Sequence, residues 1–329
     1  MTTTRALKIV LALTAALWLA ASGALAADEP TPIRRVGVLM LGDADATSGP
    51  RIMRRLAALA VVDGRNAVFE PRSAQWQAER LPQLAAELVQ AKVDVIIAVT
   101  NLPAFAAKSA TTKVPIVVWA AHDAVGTGLA KSLARPGGNI TGTESLAPEL
   151  DAKRVELIRE IVPGLQTLAL LYNPDDQGSP LHLRWAHATA KALGFGVVQL
   201  AVRGAADYDA VFASAAGRRL DGLLMFTDNA TFANWGRVAE FALHQRVPTV
   251  CEFAPLAQAG CLVSYGPSFA ELDERVAQQV DRILKGARPA DLPFEQPTRY
   301  ELVVNLKTAM AIGAAIPQSM LLRADRAIE

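Results

Sequence analysis

The sequence predicts an α/β protein built from two similar parallel sheets in series. Eight short apolar runs alternate with amphipathic segments from Ile33 onward. Near-continuous Val, Ile and Leu strands joined by helices are typical of a parallel sheet that helices cover on both faces. Eight strands are too many for one sheet in half of a 329-residue chain, and this length suits two domains of about 150 residues each.

The connections between the apolar runs support this fold class. Amphipathic patterns such as Leu150 to Val162 and Trp185 to Leu193 predict connecting helices. Pro115 and Pro248 stand at strand entrances, where a missing N–H disturbs no interior ladder. The predicted strands are IRRVGVLML (33–41), VDVIIAVT (93–100), VPIVVWAA (114–121), TLALLYN (167–173), FGVVQLAV (195–202), DGLLMFT (221–227), VPTVCEF (247–253) and GCLVSYG (260–266).

Two links divide the predicted sheets. The glycine-rich segment RPGGNITGTES (135–145) predicts a turn and a short extended link, and GPS (266–268) before a helical pattern predicts a second. The later segment FEQPTRYELVVN (294–305) reads as one more strand, which we expect to rejoin the first lobe. The expected N-terminal lobe is therefore 27–145 plus 268–329, the C-terminal lobe is 146–267, and repeated crossings between them form a hinge with a cleft.

Residues 1–26 have the pattern of a secretory signal peptide. Arg5 and Lys8 precede an apolar stretch from Ile9 to Ala20, and Ala24-Leu25-Ala26 is an A-x-A cleavage site. An uncleaved membrane anchor is the alternative, although the apolar run is short for a bilayer span. We expect a soluble mature chain that begins near Ala27, in the periplasm or outside the cell.

Charge argues against nucleic acid or anionic lipid as a partner. The whole chain carries 33 basic and 32 acidic residues, and removal of 1–26 takes away two basic ones, which changes the net charge from +1 to −1. Neither value gives a strong electrostatic attraction to a polyanion. The 51% hydrophobic content is enough for substantial cores, and no second apolar stretch reaches membrane-spanning length.

The two cysteines are expected to be free, buried thiols. Cys251 ends one predicted strand and Cys261 begins the next, so a crossover between them would place them at opposite ends of the sheet. That separation exceeds the roughly 7 Å between Cα atoms that a disulfide can bridge. A disulfide remains the alternative, because 252–260 is short enough to be a loop.

Polar residues that follow the predicted strands are the candidate ligand-binding groups. In open α/β sheets, ligands bind outside the carboxyl ends of the strands, where helix N-termini and free N–H groups converge. This rule selects Asp43, Asp45, Thr47 and Asp175 among others. The candidate set is Ser48, Thr100, Asn101, His122, Asp123, Asn173, Asp228, Asn229 and Glu252.

The chemistry of these groups suits a zwitterion such as an amino acid. Thr100 and Asn101 precede Pro103, so a hydroxyl, an amide and the N–H groups of a first helical turn could receive a carboxylate. Asp123, Asp228 and Glu252 could hold an ammonium between the lobes. Helix capping or a solvated loop is the alternative for each of these residues.

Aromatic residues at strand ends could wall an apolar pocket, although ordinary core packing is the alternative. These residues are Trp119, Tyr172, Phe226 and Phe253.

Nothing specific in the sequence indicates an enzyme, a cofactor or a metal. It contains no G-x-S-x-G elbow and no P-loop, and GTGLAK at Gly126 lacks the third glycine of a dinucleotide fingerprint. His182 and His187 are five residues apart, which does not place both cleanly on one helical face. We therefore expect no catalytic residue, no metal ligand and no cofactor, with a hydrolase or lyase as the remote alternative.

Several segments resemble the ABC transporter substrate-binding protein family, typified by the tryptophan-binding component of bacterial uptake systems. The similar segments are SLARPGGNITG (132–142), LDAKRVELI (150–158), SYGPS (264–268) and the tail from Lys285 to Glu329. Two segments depart from the family pattern. Asp123-Ala124 stands where the family often has Asp-Pro, and the loop GDADATSGP (42–50) is particular to this chain.

The resemblance implies a type I periplasmic-binding-protein fold, with two Rossmann-like lobes joined by a hinge. It also implies a function, which is capture of a small amino-acid-like, possibly aromatic, ligand by hinge closure and its delivery to a membrane ABC permease. The expected protein is a monomer with no nucleic-acid partner. A ligand-sensing subunit for a membrane receptor kinase would use the same fold and is the main alternative.

Overall fold

The computed structural model describes residues 33–42, 48–145, 149–176 and 178–329. The predicted signal peptide and the candidates Asp43, Asp45 and Thr47 lie outside these residues. Within the described part of the chain, no helix has both the length and the apolarity that a bilayer crossing needs.

The first sheet contains five parallel strands in the order β2-β1-β3-β4-β5. Near-continuous Val and Ile side chains make β1, β3 and β4 buried on both faces, as the sequence predicts. The strands are β1 (Arg34–Met40), β2 (Ala67–Ser73), β3 (Val95–Val99), β4 (Ile116–Ala121) and β5 (Ile140–Glu144).

Four helices cover the two faces of this sheet. Successive side chains of a strand point to opposite faces, so Val38 packs with α1 and α10 on one side and Leu39 with α2 and α3 on the other. The helices are α1 (Ser48–Ala58), α2 (Leu81–Gln90), α3 (Asn101–Ala110) and, much later in the chain, α10 (Phe269–Leu284).

The second sheet has seven strands in the order β12-β11-β10-β9-β8-β6-β7. All its pairs are parallel except β10 with β11. The strands are β6 (Thr167–Tyr172), β7 (Gly196–Ala201), β8 (Gly222–Met225), β9 (Thr249–Cys251), β10 (Val263–Pro267), β11 (Tyr300–Asn305) and β12 (Arg326–Ile328).

Helices also cover both faces of the second sheet. Val155 of α4 and Ala186 of α5 belong to the core on one face, and Tyr208 of α6 and Trp235 of α8 belong to the other. The helices are α4 (Glu149–Ile161), α5 (Ser179–Leu193), α6 (Tyr208–Ala216), α7 (Asn229–Ala233), α8 (Trp235–Gln245), α9 (Ala254–Gln258), α11 (Leu306–Ile312) and α12 (Gln318–Arg323). Short 3-10 turns occur at Ala78–Arg80, Ala205–Asp207 and Pro289–Asp291.

All eight predicted apolar runs contain a strand, and the prediction of two sheets is confirmed. The prediction that the strand in 294–305 rejoins the first lobe is wrong, because β11 pairs antiparallel with β10 in the second sheet. Leu302 and Val304 enter the same core as Val263, which explains this placement. The chain before the crossing back does belong to the first lobe: α10 packs against α1 and β4, Leu292 and Phe294 enter the first-sheet cores, and Glu295 forms a bridge with Thr143 of β5.

Three crossings join the two lobes: one between β5 and α4, one at Ser268 between β10 and α10, and one at Arg299 before β11. The second and third crossings run side by side, since the Ser268 N–H donates to the Arg299 carbonyl at 2.9 Å. Glu271 of α10 accepts hydrogen bonds from the N–H groups of Thr298 and Arg299, at 3.2 and 2.8 Å. These bonds define a compact hinge.

The sequence does not predict β2, β5 or β12 as strands. Strand β2 contains Pro71 and charged residues, which are typical of an edge strand. The glycine-rich composition of 135–145 predicts a link where the structure has β5. Within β5, Gly142 is required because a Cβ there would lie 2.3 Å from the Val118 carbonyl oxygen. Strand β12 has only three residues.

Both cysteines are free and buried, as the sequence predicts, but they are not at opposite ends of the sheet. The Sγ atoms of Cys251 and Cys261 lie 3.7 and 3.2 Å from the same carbonyl oxygen, that of Val263. The crossover is only the short helix α9, so the two thiols remain neighbours. Burial and the Cys261 thiol raise the pKa of Cys251.

Candidate functional site

A cleft of about 1140 Å³ lies between the two sheets, at the carboxyl ends of their strands. Both lobes line it, as expected for ligand sites in open α/β folds. Six aromatic residues are among its lining groups. They are Trp76, Phe105, Trp119, Phe232, Phe253 and Phe269.

Five members of the predicted site set line this cleft: Thr100, Asn101, His122, Asn173 and Asp228. Asp175 lines it as well and forms a 3.6 Å ion pair with Arg203. The side chains of Ser48 and Asn229 lie outside the described part of the chain.

Asp123 and Glu252 are not among the residues that line the cleft. The Asp123 carboxylate accepts from the Gly126 N–H at 2.8 Å and thereby closes a local turn. The Glu252 carboxylate is turned into the second lobe, where it belongs to a buried ion cluster described below. Both residues follow strands, but local hydrogen bonding and ion pairing direct their side chains away from the cleft.

Thr100 and Asn101 shape the first-lobe wall in different ways. Asn101 ties the ends of β3 and β4 together, because its Nδ2 donates to the His122 carbonyl at 2.7 Å and its Oδ1 accepts from the His122 N–H at 2.9 Å. Thr100 has a φ of 70°, and Ala120 on the neighbouring strand has 57°. Positive φ is uncommon for a residue with a Cβ, above all a β-branched one, and such backbone strain clusters at functional sites.

Asp228 is both a cleft residue and a helix cap. Its Oδ1 accepts from the Thr231 N–H at 2.6 Å, and its own N–H donates to the Thr231 hydroxyl at 2.9 Å, which completes a capping box for α7. Burial raises the pKa of Asp228, hydrogen bonds from Thr231 and Asn173 oppose that rise, and the Asp176 charge adds to it. The second-lobe wall therefore holds two neighbouring carboxylates that favour a cation between them.

His122 approaches these carboxylates from the first lobe. Burial lowers its pKa, although the charges of Glu252 and Asp176 oppose the shift. The His122 side chain is therefore uncharged at pH 7, and it does not neutralise the acidic groups opposite it.

An aromatic and ionic assembly forms the floor of the cleft. Asp273 of α10 accepts from the Trp119 indole at 2.8 Å and from Arg51 Nε at 2.7 Å. The Phe269 ring lies 4.9 Å from the centroids of Trp119 and Phe253, and it lies 5.1 Å from the Arg51 guanidinium carbon. Rings from both lobes therefore meet at this floor: Phe269 forms a T-shaped pair with Trp119 of its own lobe and a tilted pair with Phe253 of the other.

Sequence reasoning located this floor only in part. Trp119 and Phe253 line the cleft, but Tyr172 donates to Gln199 at 3.0 Å and Phe226 stacks on His182 at 5.0 Å. Arg51, Phe269 and Asp273 were missed because they come from helices that only the tertiary fold brings to β4. The amphipathic pattern of α10 gives no signal for a buried Asp273 that accepts hydrogen bonds from Arg51 and Trp119.

Four buried side chains form an ion cluster behind the second-lobe wall. Arg154 Nη1 lies 2.6 Å from Asp151 and 3.3 Å from Glu252, and Arg154 Nε donates to the Tyr265 carbonyl at 2.8 Å. His182 Nδ1 lies 2.5 Å from Asp151 and 3.9 Å from Glu252. Each of the four side chains is less than one-tenth exposed.

Among the described residues, one group has the composition of a metal site. The ligand atoms of Asp151, His182 and Glu252 lie within 4.8 Å of one another. The Arg154 guanidinium already supplies a cation to both carboxylates. A divalent ion would have to displace it from a buried position, at a large desolvation penalty. The arrangement is therefore suited to internal charge pairing.

The cluster makes stability depend on pH. Burial opposes a charge on His182, but Asp151 and Glu252 outweigh it and raise the pKa of His182. The native state then holds its proton more tightly than the unfolded chain, so the stabilisation is complete below about pH 6.5 and is lost as pH rises through the folded pKa.

We expect the free energy of unfolding to fall with pH above about 6.5 in the wild type and to vary much less in His182→Gln. Urea unfolding at a series of pH values measures this slope. Exposed His244→Gln is the control and should keep the wild-type slope. An identical slope in His182→Gln would show that folding does not raise the pKa of this imidazole.

The chain is similar to known proteins over most of its length. A sequence model described as ABC transporter substrate binding protein matches residues 36–328. A tyrosine-binding protein from Clostridioides difficile is 27% identical over 250 residues, which cover 76% of this chain and 72% of that protein.

Solved structures are similar over most of the chain. A conserved domain protein from Vibrio cholerae has 26% identity and a TM-score of 0.83, and the match covers 90% of this chain and 99% of that one. An ABC domain from Streptococcus pneumoniae in complex with L-Trp has 24% identity and a TM-score of 0.81, with the same coverage.

Proposed function

Because the chain belongs to the ABC transporter substrate binding protein family, we propose that it binds a small, aromatic, amino-acid-like solute in the cleft and delivers it to a membrane permease. Its two mostly parallel α/β sheets and hinge are the type I periplasmic-binding-protein fold that the sequence resemblance implied.

The observation that carries the proposal is the composition of the cleft walls. Trp119, Phe253 and Phe269 offer aromatic surface from both lobes, which suits a planar ring. Asp176 and Asp228 give the second-lobe wall a negative character that suits an ammonium. The first-lobe wall opposes them with the N-terminal turn of α3, whose N–H groups suit a carboxylate.

The names of similar proteins support the same ligand class. One relative is a tyrosine-binding protein, and one structural neighbour was solved with L-Trp. Both ligands are zwitterions with a flat aromatic side chain, and they match the polar and aromatic lining of this cleft.

Hinge closure would turn binding into a change of shape. A ligand that touches both walls interacts better with the closed form than with the open form, so it shifts the population toward closure. A permease that recognises the closed form would then receive only loaded protein.

We also propose a location and an oligomeric state for the protein. We place the protein outside the cytoplasmic membrane, exported by a signal peptide that is cleaved after Ala26. It acts as a monomer, without a cofactor, and releases the ligand chemically unchanged.

Titration of protein recovered from the periplasm tests this function. N-terminal sequencing should give a start at or within two residues of Ala27. Calorimetry with L-tryptophan, L-tyrosine, L-phenylalanine and L-leucine should show saturable binding of at least one aromatic amino acid, tighter than that of L-leucine. Chromatography of the mixtures should return the ligand intact. Absence of binding across the panel, or conversion of the ligand, would refute the proposal.

A further inference from the structure

Trp76 is the most exposed aromatic residue among the described residues that line the cleft. It is 39% exposed, whereas Trp119 and Phe253 of the floor are 5% and 6% exposed. The floor rings pack on one another through Phe269, so they leave little aromatic surface for a solute. Trp76 follows the edge strand β2 and Trp119 ends β4, so the two indoles lie at different ends of the first-lobe wall.

The backbone holds Trp76 in a conformation that a large side chain rarely adopts. The φ angle of Trp76 is 63°, and that of Gln75 before it is 52°. Glycine takes such positive values without strain, whereas a bulky residue that does so is a genuine outlier. Strain of this kind persists where the surrounding structure over-determines it, and it clusters at functional sites.

Hydrogen bonds to the segment after β1 hold this strained turn in place. The Trp76 N–H donates to the Leu41 carbonyl at 2.7 Å. The Ser73 hydroxyl donates to the Gly42 carbonyl, also at 2.7 Å. The turn is thus fastened to the end of the buried strand β1, and the direction in which the Trp76 side chain leaves the backbone is fixed.

The indole of Trp76 lies flat on Gly42. A Cβ at Gly42 would lie 2.5, 2.8 and 3.0 Å from Cζ2, Cη2 and Cε2 of Trp76. Similar distances to three adjacent ring atoms place that point over the face of the ring, because an approach to the edge would bring one atom much closer than its neighbours. Backbone therefore covers one face of the indole, which leaves the other face as the surface that a flat ligand ring can meet.

We propose that Trp76 stacks the free face of its indole on the aromatic ring of the ligand and thereby sets the preference for an aromatic over an aliphatic side chain. This inference rests on the proposed function and names the residue that selects its substrate class. Aromatic rings in offset-stacked contact gain more than the area that they bury, and an aliphatic side chain lacks this gain.

The test replaces the indole by an apolar side chain that has no ring. Trp76→Leu should bind the aromatic amino acid preferred by the wild type, L-tryptophan or L-tyrosine, about five- to tenfold more weakly. Trp76→Phe keeps a ring and should stay within about threefold of the wild type. The wild type and both variants should bind L-leucine equally well in the same calorimetry.

Gln75→Gly is the matched control for the strained turn. Gln75 has the same unusual φ but does not line the cleft. Its replacement relieves strain beside Trp76 without touching the indole, so wild-type affinity for the aromatic amino acid should remain. Ligand-free Trp76→Leu and Trp76→Phe should unfold at similar temperatures, since both keep an apolar side chain over Gly42.

Gly42→Ala tests the position of the indole independently. Its methyl group would push the ring away, so affinity for the aromatic amino acid should fall as it does in Trp76→Leu. The double variant should lose little more than either single variant, because both changes remove the same contact. Additive losses would show that Gly42 does not act through the indole and would overturn the proposed stacking geometry.

The outcomes distinguish the inference from the function on which it rests. If the wild type binds an aromatic amino acid and Trp76→Leu binds it equally well, the inference alone is overturned. An equal loss of affinity for the aromatic amino acid and for L-leucine also overturns it, because Trp76 then serves closure of the cleft. A loss in Gln75→Gly as large as that in Trp76→Leu assigns the effect to the backbone of the turn and has the same consequence. A wild type that binds no aromatic amino acid overturns the function and the inference together.

Discussion

Replacement of Arg154 by methionine is expected to lower the free energy of unfolding by about 3–5 kcal/mol, because it leaves two buried carboxylates without the guanidinium that pairs with both and with only the His182 imidazole beside them. Arg154 is 3% exposed and pairs with Asp151 and Glu252. Methionine retains much of the side-chain volume, so the loss measures charge and hydrogen bonding more than packing. Urea or thermal unfolding of the ligand-free protein measures it.

Lys153→Ala is the matched control for this prediction. Lys153 is the preceding residue, and its 3.0 Å pair with Glu156 is exposed on both sides. Such surface pairs contribute about 0–1 kcal/mol. Equal stability of Arg154→Met and Lys153→Ala would show that the buried cluster does not depend on the guanidinium for its charge balance.

Asp228→Asn is expected to weaken binding of the amino-acid ligand about ten- to hundredfold, with little change in stability. The substitution removes the charge that would face the ligand ammonium, and charge-assisted hydrogen bonds are worth about 1.5–3 kcal/mol. An asparagine Oδ1 can still accept from the Thr231 N–H, so the cap of α7 remains. Calorimetry of wild type and variant measures the difference.

Asp228→Ala separates the two roles of this residue. It removes charge and cap together, so it should weaken binding as Asp228→Asn does and also destabilise the fold by about 1 kcal/mol. Wild-type affinity in Asp228→Asn would show that the carboxylate serves only as a cap. That result would leave the capping interpretation as the sole role of Asp228.

The sequence predicted the interior of the fold better than its edges. Strands such as β3 and β4 are buried on both faces, so their composition alone identifies them. Strands β2 and β12 have polar residues because an edge strand meets solvent. Strand β11 belongs to the second sheet because it pairs with Val263 and its neighbours in β10. No local sequence pattern specifies this long-range pairing.

The candidate site shows a similar limit. The rule that ligands bind at the carboxyl ends of parallel strands correctly placed Thr100, His122 and Asp228 at the cleft. Chain direction and sheet order decide that position. The rule could not tell that Glu252 turns toward Arg154, which depends on residues about a hundred positions away.

The paired crossings of the hinge also restrict how the lobes can move. Pro267 lies opposite Tyr300, and the Ser268 N–H to Arg299 carbonyl bond extends the β10–β11 ladder to the lobe boundary, where Ser268 also donates to Glu301. Two hydrogen-bonded strands behave as a ribbon, which bends readily across its flat face but resists bending within its plane and sliding of one strand along the other. We therefore expect the lobes to rotate about one axis set by this ribbon, so that the aromatic rings of the two walls keep the same alignment whenever the cleft closes.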